Sequence, residues 1–381
     1  MKRIGYNSSA ILTVISIVVA SVIVFSFGCA KQEEKEIKIG AVLPLTGSAA
    51  VWGENAKMGL EIALEEVNQG GGVKGKTIKF IIEDSQSDPS KAVSALQKLI
   101  STDKVSVIIG DIASSSVLAM APIAEKAKVV LMSPGASNPD ISKAGEYIFR
   151  NWQSDALEGE VDAKFAYEHL RWRNMAVLYV SNAYGTGLKT VFEESFQKLG
   201  GKILASKSFE QGSTDMRSQL NKIRNLKLDA LYMPGYPPEM AILLRQAKEM
   251  GIKIPFLSVQ AFDDPKILET AKDGAEGVMF SVPKPPDPSN PVVKNFNDKY
   301  KQKFSRAPGV TSDTGYDALK IIVWAMNQGG TSAEEVRQQL LTLKDFPGAA
   351  GITTFDKNGD VIKPFIFRTV RKGQFVHSER Y

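Results

Sequence analysis

The chain from residue 37 onward alternates between short runs of apolar, often β-branched residues and longer stretches whose apolar residues recur at helical spacing. The short runs predict strands at 37–43, 77–84, 105–110, 129–133, 174–180, 203–209, 228–233, 254–259 and 277–282. Strand–helix–strand units that repeat in this way predict parallel sheets with helices on both faces, so we expect an α/β fold.

The helical stretches lie between these strands and continue after the last of them. They predict helices at 54–68, 88–100, from 114 to about 126, and at 156–170, 184–199, 215–226, 237–250, 291–304, 312–328 and 333–342. The alternation stops after the strand at 129–133 and resumes after Arg150, which gives two series of about 120 residues each and predicts two α/β lobes. We interpret the proline-rich segment 283–291 as a crossover between them, and the end of the chain as β-rich.

The segment GGGVKGKT, residues 70–77, matches the spacing of a phosphate-binding P-loop. A P-loop needs a strand before it and a helix after it, because the phosphates lie at the helix N-terminus. Here the predicted order is the reverse, since a helix precedes the segment and a strand follows it. The glycines are therefore predicted to end a helix and form a turn.

Composition narrows the function further. The 381 residues carry a net charge of +5, with no run of Lys and Arg interleaved with aromatics, so we expect no nucleic-acid partner. The chain has two histidines and one cysteine, and it contains no GxSxG, HExxH or CxxC motif. We therefore expect no metal site, no cofactor and no enzymatic activity. A pair of catalytic carboxylates remains the alternative, because Asp and Glu are plentiful.

The first 28 residues have the pattern of an export signal, with a basic start followed by an uncharged apolar run at 10–27. Cys29 follows that run directly, and its position resembles the lipidated first residue of a bacterial lipoprotein. We predict residues 1–28 to be a signal peptide and residues 29–36 a lipidated tether at the periplasmic face of the membrane. An uncleaved membrane anchor and plain secretion remain alternatives, and both also place the rest of the chain outside the cytoplasm.

Two loops that follow strands in the first series carry candidate binding groups. Ligands in α/β sheets bind beyond the carboxyl ends of the strands. The loop 44–53 places Trp52 before a helix, either as a wall of an apolar pocket or as packing on that helix. The loop 110–117 places Ser114 and Ser115 at a helix start, where hydroxyls and free N–H groups suit a carboxylate. One serine would suffice as a helix cap, so the others leave donors free.

A third loop in the first series, SPGASNP at 133–139, combines a tight turn around Gly135 with the hydroxyl of Ser137. Composition alone fits a plain polar turn equally well. In the second series, aromatic and polar residues follow the strands at matching positions: Tyr184, Tyr236, Gln260, Phe262 and Asp263. The aromatic residues together with the tryptophan would clamp an apolar side chain.

These loops carry a resemblance to the leucine/isoleucine/valine-binding proteins, which are type I periplasmic binding proteins of ABC importers. Six motifs occur in the family's order: WG at 52–53, SSS at 114–116, SPGASNP at 133–139, YG at 184–185, GYPPEM at 235–240 and AEGV at 275–278. The resemblance extends from about Ile37 to the end of the chain. The segment that contains GGGVKGKT also resembles a part of the family in which a helix, a glycine turn and a strand follow one another.

The resemblance implies the type I periplasmic binding protein fold, in which two doubly wound parallel-sheet lobes are joined by three crossovers and the ligand is held in the cleft between them. It places lobe one at 37–154 plus 284–360, lobe two at 155–283 plus 361–381, and the crossovers near 151–155, 283–291 and 358–363.

The resemblance also implies residue roles. The ligand carboxylate would bind Ser114 and the main chain of the SPGA loop at Ala136 and Ser137. The ammonium group would bind the carbonyl of Gly135, the hydroxyl of Ser137 and the side chain at position 260. The apolar walls would be formed by Trp52, Tyr184 and Tyr236.

The family has a glutamate where this chain has Gln260. A buried ammonium group without a negative partner costs several kcal/mol. Either Asp155, Asp263 or Asp264 replaces that charge, or the ligand lacks an ammonium group and is an aromatic or aliphatic carboxylic acid or an amide.

The resemblance predicts a monomeric, non-enzymatic binding protein that delivers a small carboxylate-bearing solute to ABC permease subunits. A branched-chain or other apolar amino acid is the first expectation. Two other functions remain as alternatives. The chain would then be a ligand-sensing module rather than a transport component, or an exported hydrolase on a similar fold.

Overall fold

Strands of the chain pair into two sheets and one short hairpin within residues 36–378, which are the residues that the computed structural model describes. The predicted signal peptide, Cys29 and the tether up to residue 35 lie outside the described residues. The strands are β1 (Glu36–Leu43), β2 (Thr77–Asp84), β3 (Val107–Gly110), β4 (Val130–Ser133), β5 (Ile148–Arg150), β6 (Asn174–Val180), β7 (Lys202–Phe209), β8 (Ala230–Tyr232), β9 (Phe256–Ser258), β10 (Met279–Pro283), β11 (Phe346–Gly348), β12 (Gly351–Thr353), β13 (Phe365–Arg371) and β14 (Gln374–His377).

Helices alternate with these strands. They are α1 (Ala50–Gln69), α2 (Pro89–Ser101), α3 (Ser114–Ala127), α4 (Asp155–Lys164), α5 (Ala183–Lys198), α6 (Arg217–Ile223), α7 (Pro237–Glu249), α8 (Pro265–Ala271), α9 (Pro291–Phe304), α10 (Ser312–Gln328) and α11 (Ala333–Leu340). Local sequence sets many of the starts. The side chain of Asp88 caps α2 by accepting the N–H groups of Ser90 and Lys91, with proline as the first helical residue. Between residues 36 and 378, no helix is long and apolar enough to cross a membrane.

The first sheet has the strand order β2-β1-β3-β4-β5. The pairs β1–β3, β3–β4 and β4–β5 are parallel. β3 and β4 are buried along their whole length, as expected for strands covered by helices on both faces. Their side chains contribute to two apolar cores, one on each side of the sheet.

The second sheet has the order β14-β13-β10-β9-β8-β6-β7. Five neighbouring strands run parallel to one another, namely β7, β6, β8, β9 and β10. The C-terminal hairpin of β13 and β14 is added at one edge, with β13 antiparallel to β10. The sheet is therefore mixed, with its antiparallel part at one end.

The chain passes between the two sheets three times within the described residues. The first pass leaves β5 and enters α4, which packs on α5. The second leaves β10 for α9 and α10, which pack on α1, and the third leads from β12 back to β13. Gln153 and Val361 form a parallel bridge that joins the first and third passes side by side. The exact bounds of the two lobes remain a prediction.

Most predicted elements occur, and the differences concern short ones. β5 has three residues and α8 has seven, which is too short for either to show a recognisable period in sequence. The helix predicted at 156–170 keeps regular α geometry only to Lys164 and then widens into a π-helical turn at Phe165–His169. The P-loop interpretation is excluded as predicted, because α1 ends before the glycines and β2 begins at Thr77.

Glu66 joins α1 to the helices that pack on it. Its carboxylate accepts hydrogen bonds from Lys299 of α9 at 2.8 Å, and from Tyr316 and Lys320 of α10 at 2.6 and 2.9 Å. Burial alone would raise the pKa of Glu66, but these three hydrogen bonds lower it to about 2. Because the pKa is lower in the folded protein than its usual value of 4.5, the ionised carboxylate stabilises the fold above pH 4.5. That stabilisation is lost as the pH falls toward 2.

We expect Glu66→Gln to lower the urea midpoint at pH 7 and to have a smaller effect at pH 3, where this carboxyl group is protonated in the unfolded chain but still largely ionised in the folded protein. Glu61→Gln on the same helix is the control, because the ion pairs of Glu61 are long, at 3.9 and 4.0 Å, and half-exposed. A Glu66→Gln defect of equal size at both pH values would contradict this account.

Candidate functional site

A small cavity lies among loops that follow strands of both sheets. Its lining is mostly apolar with a few polar groups, as is typical of sites for small molecules. It is lined by Trp52, Ile112, Ser114, Gly135, Ser137, Trp152, Tyr184, Tyr236, Gln260, Ala261, Val310 and Thr311. The first sheet contributes the loops after β3 and β4, and the second contributes those after β6, β8 and β9.

Most of the residues singled out in the sequence lie at this cavity. They are Trp52, Ser114, Gly135, Ser137, Tyr184, Tyr236 and Gln260. The remaining three, Ser115, Ala136 and Phe262, do not line it. Ser115 lies one residue further into α3, where its hydroxyl accepts the N–H of Ala183 at 3.2 Å. Ala136 is buried, and its N–H donates to the hydroxyl of Ser133 at 2.8 Å.

Phe262 is placed in the core rather than in the cavity. It ends a short 3₁₀ turn, Gln260–Phe262, that turns its ring inward. The ring lies 5.1 Å from that of Phe280 and 6.1 Å from that of Phe375. The side chain is fully buried there, so it supports the second sheet.

Sequence reasoning missed five of the lining residues: Ile112, Trp152, Ala261, Val310 and Thr311. Trp152 follows the short strand β5, and Val310 and Thr311 precede α10 on the second pass between the sheets. Long-range topology brings these three to the cavity, and no local pattern marks them. Ile112 and Ala261 each adjoin a predicted loop residue, and their position between strand end and helix was the available signal.

Three aromatic side chains form one wall of the cavity. The ring of Tyr236 lies 5.2 Å from Trp52, edge to face, and 5.5 Å from Tyr184, stacked. Burial raises the pKa of both tyrosines, so their hydroxyls are neutral at physiological pH. The wall is therefore apolar with uncharged hydroxyls, which suits an aliphatic or aromatic side chain.

The start of α3 forms a second, polar side. No side chain caps this helix, and the residue before it, Ala113, is extended. The hydroxyl of Ser114 accepts the N–H groups of Ser137 and Asn138 at 3.2 Å each, which ties the helix start to the loop after β4. Uncapped N–H groups at a helix N-terminus favour an anion such as a carboxylate.

The third side surrounds Gln260. Its N–H donates to Glu158 at 2.6 Å, and its side-chain oxygen is buried without a hydrogen-bond partner. Two of the three acids considered as replacements for a glutamate here are already engaged. Asp263 pairs with Arg368 at 2.6 Å, and Asp264 caps α8 through the N–H of Lys266. Asp155 is fully buried, and neither of its carboxylate oxygens has a hydrogen-bond partner.

Direct hydrogen bonds cross the cleft beside the cavity, so the structure is a closed form. From the side of the first sheet, Asn138 donates to the carbonyl of Ala183 at 2.6 Å. From the side of the second sheet, Gln211 donates to the hydroxyl of Ser48 and, at 3.4 Å, to the carbonyl of Ser87. Among the described residues, no group of His, Cys, Asp or Glu is arranged to hold a metal ion.

The sequence profile described as "Periplasmic binding protein" matches residues 36–374, which is nearly all of the chain. The chain belongs to the periplasmic binding protein family. This membership confirms the resemblance found in the motifs around the cavity.

Relatives of this periplasmic binding protein agree in sequence and in fold. The leucine-, isoleucine-, valine-, threonine- and alanine-binding protein of Pseudomonas aeruginosa is 29% identical, over 91% of this chain and 93% of its own length. The leucine binding protein LivK of Thermotoga maritima has a TM-score of 0.85 and 32% identity, with 90% of this chain and 97% of that chain covered.

The branched-chain amino acid binding protein LivJ of Streptococcus pneumoniae, solved in complex with isoleucine, has a TM-score of 0.81 and 28% identity, covering 89% of this chain and 97% of that one. The type I periplasmic binding protein fold expected from the motifs is confirmed by these neighbours.

Proposed function

We propose that this periplasmic binding protein captures a branched-chain or other apolar amino acid outside the cytoplasm and delivers it to the permease of an ABC transporter. The relatives above carry this specificity in their names, and the cavity offers groups of matching chemistry. The proposed ligand-binding residues are Trp52, Ser114, Ser115, Gly135, Ala136, Ser137, Tyr184, Tyr236, Gln260 and Phe262. Of these, Ser115, Ala136 and Phe262 do not line the cavity and act as support.

The observation that carries this proposal is the pairing of an aromatic wall with an uncapped helix start around one small cavity. The wall of Tyr184 and Tyr236 accepts the apolar side chain of the ligand. The start of α3 at Ser114 accepts its carboxylate. An α-amino acid with an aliphatic side chain presents these two features a few ångströms apart.

We also propose how the protein reaches the membrane and how it works there. Residues 1–28 direct export, and Cys29 carries a lipid that holds the monomer at the membrane. The lobes, at 37–154 plus 284–360 and at 155–283 plus 361–381, close around the ligand, and the closed form docks on the permease. The ligand is released unchanged, without catalysis.

A second ligand class is favoured by one observation. Gln260 carries no charge at the position where the sequence resemblance expects a glutamate. A carboxylic acid without an ammonium group, or an amide, would need no counter-charge there.

A thermal-shift panel on the full-length chain tests the proposal. The panel pairs leucine, isoleucine, valine and phenylalanine with their des-amino acids and amides. A ligand at 100 times its Kd stabilises the folded state by about 2.7 kcal/mol, and we expect one of these ligands to raise Tm by several degrees. Tyr184→Ala serves as the control and should show little shift. No shift with any member of the panel would contradict the proposed ligand class.

Gln211 is expected to stabilise the closed form, because its side chain donates hydrogen bonds to Ser48 and Ser87 across the cleft. Removing these bonds with Gln211→Ala should weaken binding by roughly 3–10-fold, since the closed state loses about 0.5–1.5 kcal/mol. Titration calorimetry with the best ligand of the panel measures this.

Gln219→Ala is the matched control for Gln211→Ala. Gln219 has similar exposure, but its side chain donates a hydrogen bond to the carbonyl of Ser208, which does not cross the cleft. An equal loss of affinity in both variants, or none in Gln211→Ala, would show that these contacts do not govern closure.

A further inference from the structure

Three acidic side chains lie on one face of α4. Asp155, Glu158 and Asp162 are spaced three and four residues apart, which places them in one row along the helix. All three are fully buried. Acidic residues are almost never fully buried unless they are paired, so a row of three requires an explanation.

Few donors satisfy these carboxyl groups. One oxygen of Glu158 accepts the N–H of Gln260 at 2.6 Å and the hydroxyl of Ser281 at 2.9 Å. One oxygen of Asp162 accepts the hydroxyl of Tyr232 at 2.8 Å. Both oxygens of Asp155 and the second oxygens of Glu158 and Asp162 are buried without a hydrogen-bond partner.

No cation balances the row among the ion pairs of the described part of the chain. The charge of Arg150 reaches Asp155, but Arg150 is itself paired with Asp360 at 2.5 Å. The titratable and charged groups that face the row are Arg150, Tyr184, Tyr232 and Tyr236. The three tyrosines are neutral, and Arg150 is the one positive group among these four.

Burial therefore dominates the titration of the row. It raises the pKa of Asp155, opposed by Ser137 and Arg150, and it raises the pKa of Asp162 as well. The pKa of Glu158 is raised by burial and by the neighbouring charges of Asp162 and Asp155. Without a cation, the row holds protons at neutral pH.

The row lies directly behind the cavity. The N–H of Asp155 donates to the carbonyl of Ser137 at 2.7 Å, and Glu158 accepts the N–H of Gln260. Both Ser137 and Gln260 line the cavity. The hydroxyl of Tyr184 and the side-chain oxygen of Gln260 also belong to cavity-lining residues, are buried, and have no hydrogen-bond partner. These free polar atoms are an independent indication that a polar group of a ligand belongs here.

We propose that the buried carboxyl row of α4, with Asp155 as the ionised member, supplies the negative charge for a ligand ammonium group that residue 260 lacks. The inference rests on the proposed function, and it selects an amine-bearing ligand. A buried ammonium group needs a counter-charge, and a cation nearby favours the ionised form of a buried carboxyl group. When the ammonium group enters, Asp155 releases its proton to solvent and Gln260 accepts a hydrogen bond from the ligand.

Paired ligands test this directly. Calorimetric titration with L-leucine and with 4-methylpentanoate, which lacks only the amino group, gives the ratio of their affinities. Asp155→Asn keeps the shape of the side chain and removes the charge, so leucine should lose roughly 30-fold or more in affinity while 4-methylpentanoate is little changed. Asp263→Asn is the control, because that carboxylate is already paired with Arg368 and the ratio should stay at the wild-type value.

A second measurement needs no variant and stays decisive if Asp155→Asn does not fold. Leucine binding to the wild-type full-length chain is measured in phosphate and in Tris, whose ionisation enthalpies differ. At pH 7, where Asp155 is about half protonated before binding, leucine should release about half a proton and 4-methylpentanoate none.

The outcomes separate the two proposals. Equal proton exchange with both ligands, or an unchanged affinity ratio in Asp155→Asn, would overturn the role of the carboxyl row while the proposed function stands. If neither these two ligands nor any other member of the thermal-shift panel binds the wild-type chain, the proposed function fails and this inference fails with it.

Discussion

Replacing Tyr236 by alanine is expected to reduce the affinity for an apolar amino acid by roughly 100-fold, because about 2–3 kcal/mol of apolar contact is lost. Tyr236 is the centre of the aromatic wall, since its ring contacts both Trp52 and Tyr184. It is 2% exposed, so the closed cleft encloses the ring almost completely. Titration calorimetry on the wild-type and variant chains measures the loss.

Tyr236→Phe separates the ring from its hydroxyl. That hydroxyl accepts only a long hydrogen bond of 3.4 Å from Asn182. The phenylalanine variant should therefore bind within about threefold of the wild type, because so long a hydrogen bond contributes little. A phenylalanine variant as weak as the alanine variant would mean that the hydroxyl, and not the ring, contacts the ligand.

Gly59→Ala is expected to lower the free energy of unfolding by about 3 kcal/mol. Gly59 lies where α1 crosses α10. A Cβ atom there would lie 1.9 Å from the carbonyl oxygen of Ser312 and 2.9 Å from the backbone nitrogen of Tyr316. Because both neighbours are backbone atoms, α10 must move away. Urea unfolding measures the loss.

Gly70→Ala is the control for this crossing. Gly70 follows the last residue of the same helix at a φ of −77°, which any residue adopts, and the nearest atom to an added Cβ would be 3.2 Å away. Its effect should be small, since alanine also restricts the unfolded chain. Similar losses in the two variants would show that close approach to α10 is not the cause.

The sequence predicts the framework well where elements are long and periodic. The strands at 77–84 and 174–180 occur with the predicted bounds, and the helix predicted at 312–328 is α10. Their length gives the hydrophobic period enough repeats to be recognised. β5 and α8 give no such period, because each is set by contacts with neighbouring elements.

Site residues that directly follow a strand could be predicted from the sequence, whereas those in other parts of the chain could not. Ser114 and Tyr184 line the cavity because each lies in the first turn of the helix that follows a parallel strand. Phe262 occupies an equivalent position in sequence, but a single 3₁₀ turn rotates it into the core. Trp152 and Thr311 come from passes between the sheets, and only the assembled topology brings them to the cavity.

The burial of the three acids of α4 could not be predicted from the sequence. Their spacing places Asp155, Glu158 and Asp162 on one face, and this was visible in the sequence. A row of acids on a helix normally faces solvent. Here the second sheet packs against that face, with the hydroxyls of Tyr232 and Ser281 in contact with the acids, and the face is buried.

We propose that the cavity between the two sheets binds one apolar amino acid. Calorimetric titration of L-leucine into the full-length chain at pH 7, repeated at several temperatures, measures this binding. We expect saturable binding of one leucine per chain, with a negative heat-capacity change because apolar surface is buried in the closed cleft. Absence of saturable leucine binding, or saturation that survives unchanged in Tyr236→Ala, would contradict it.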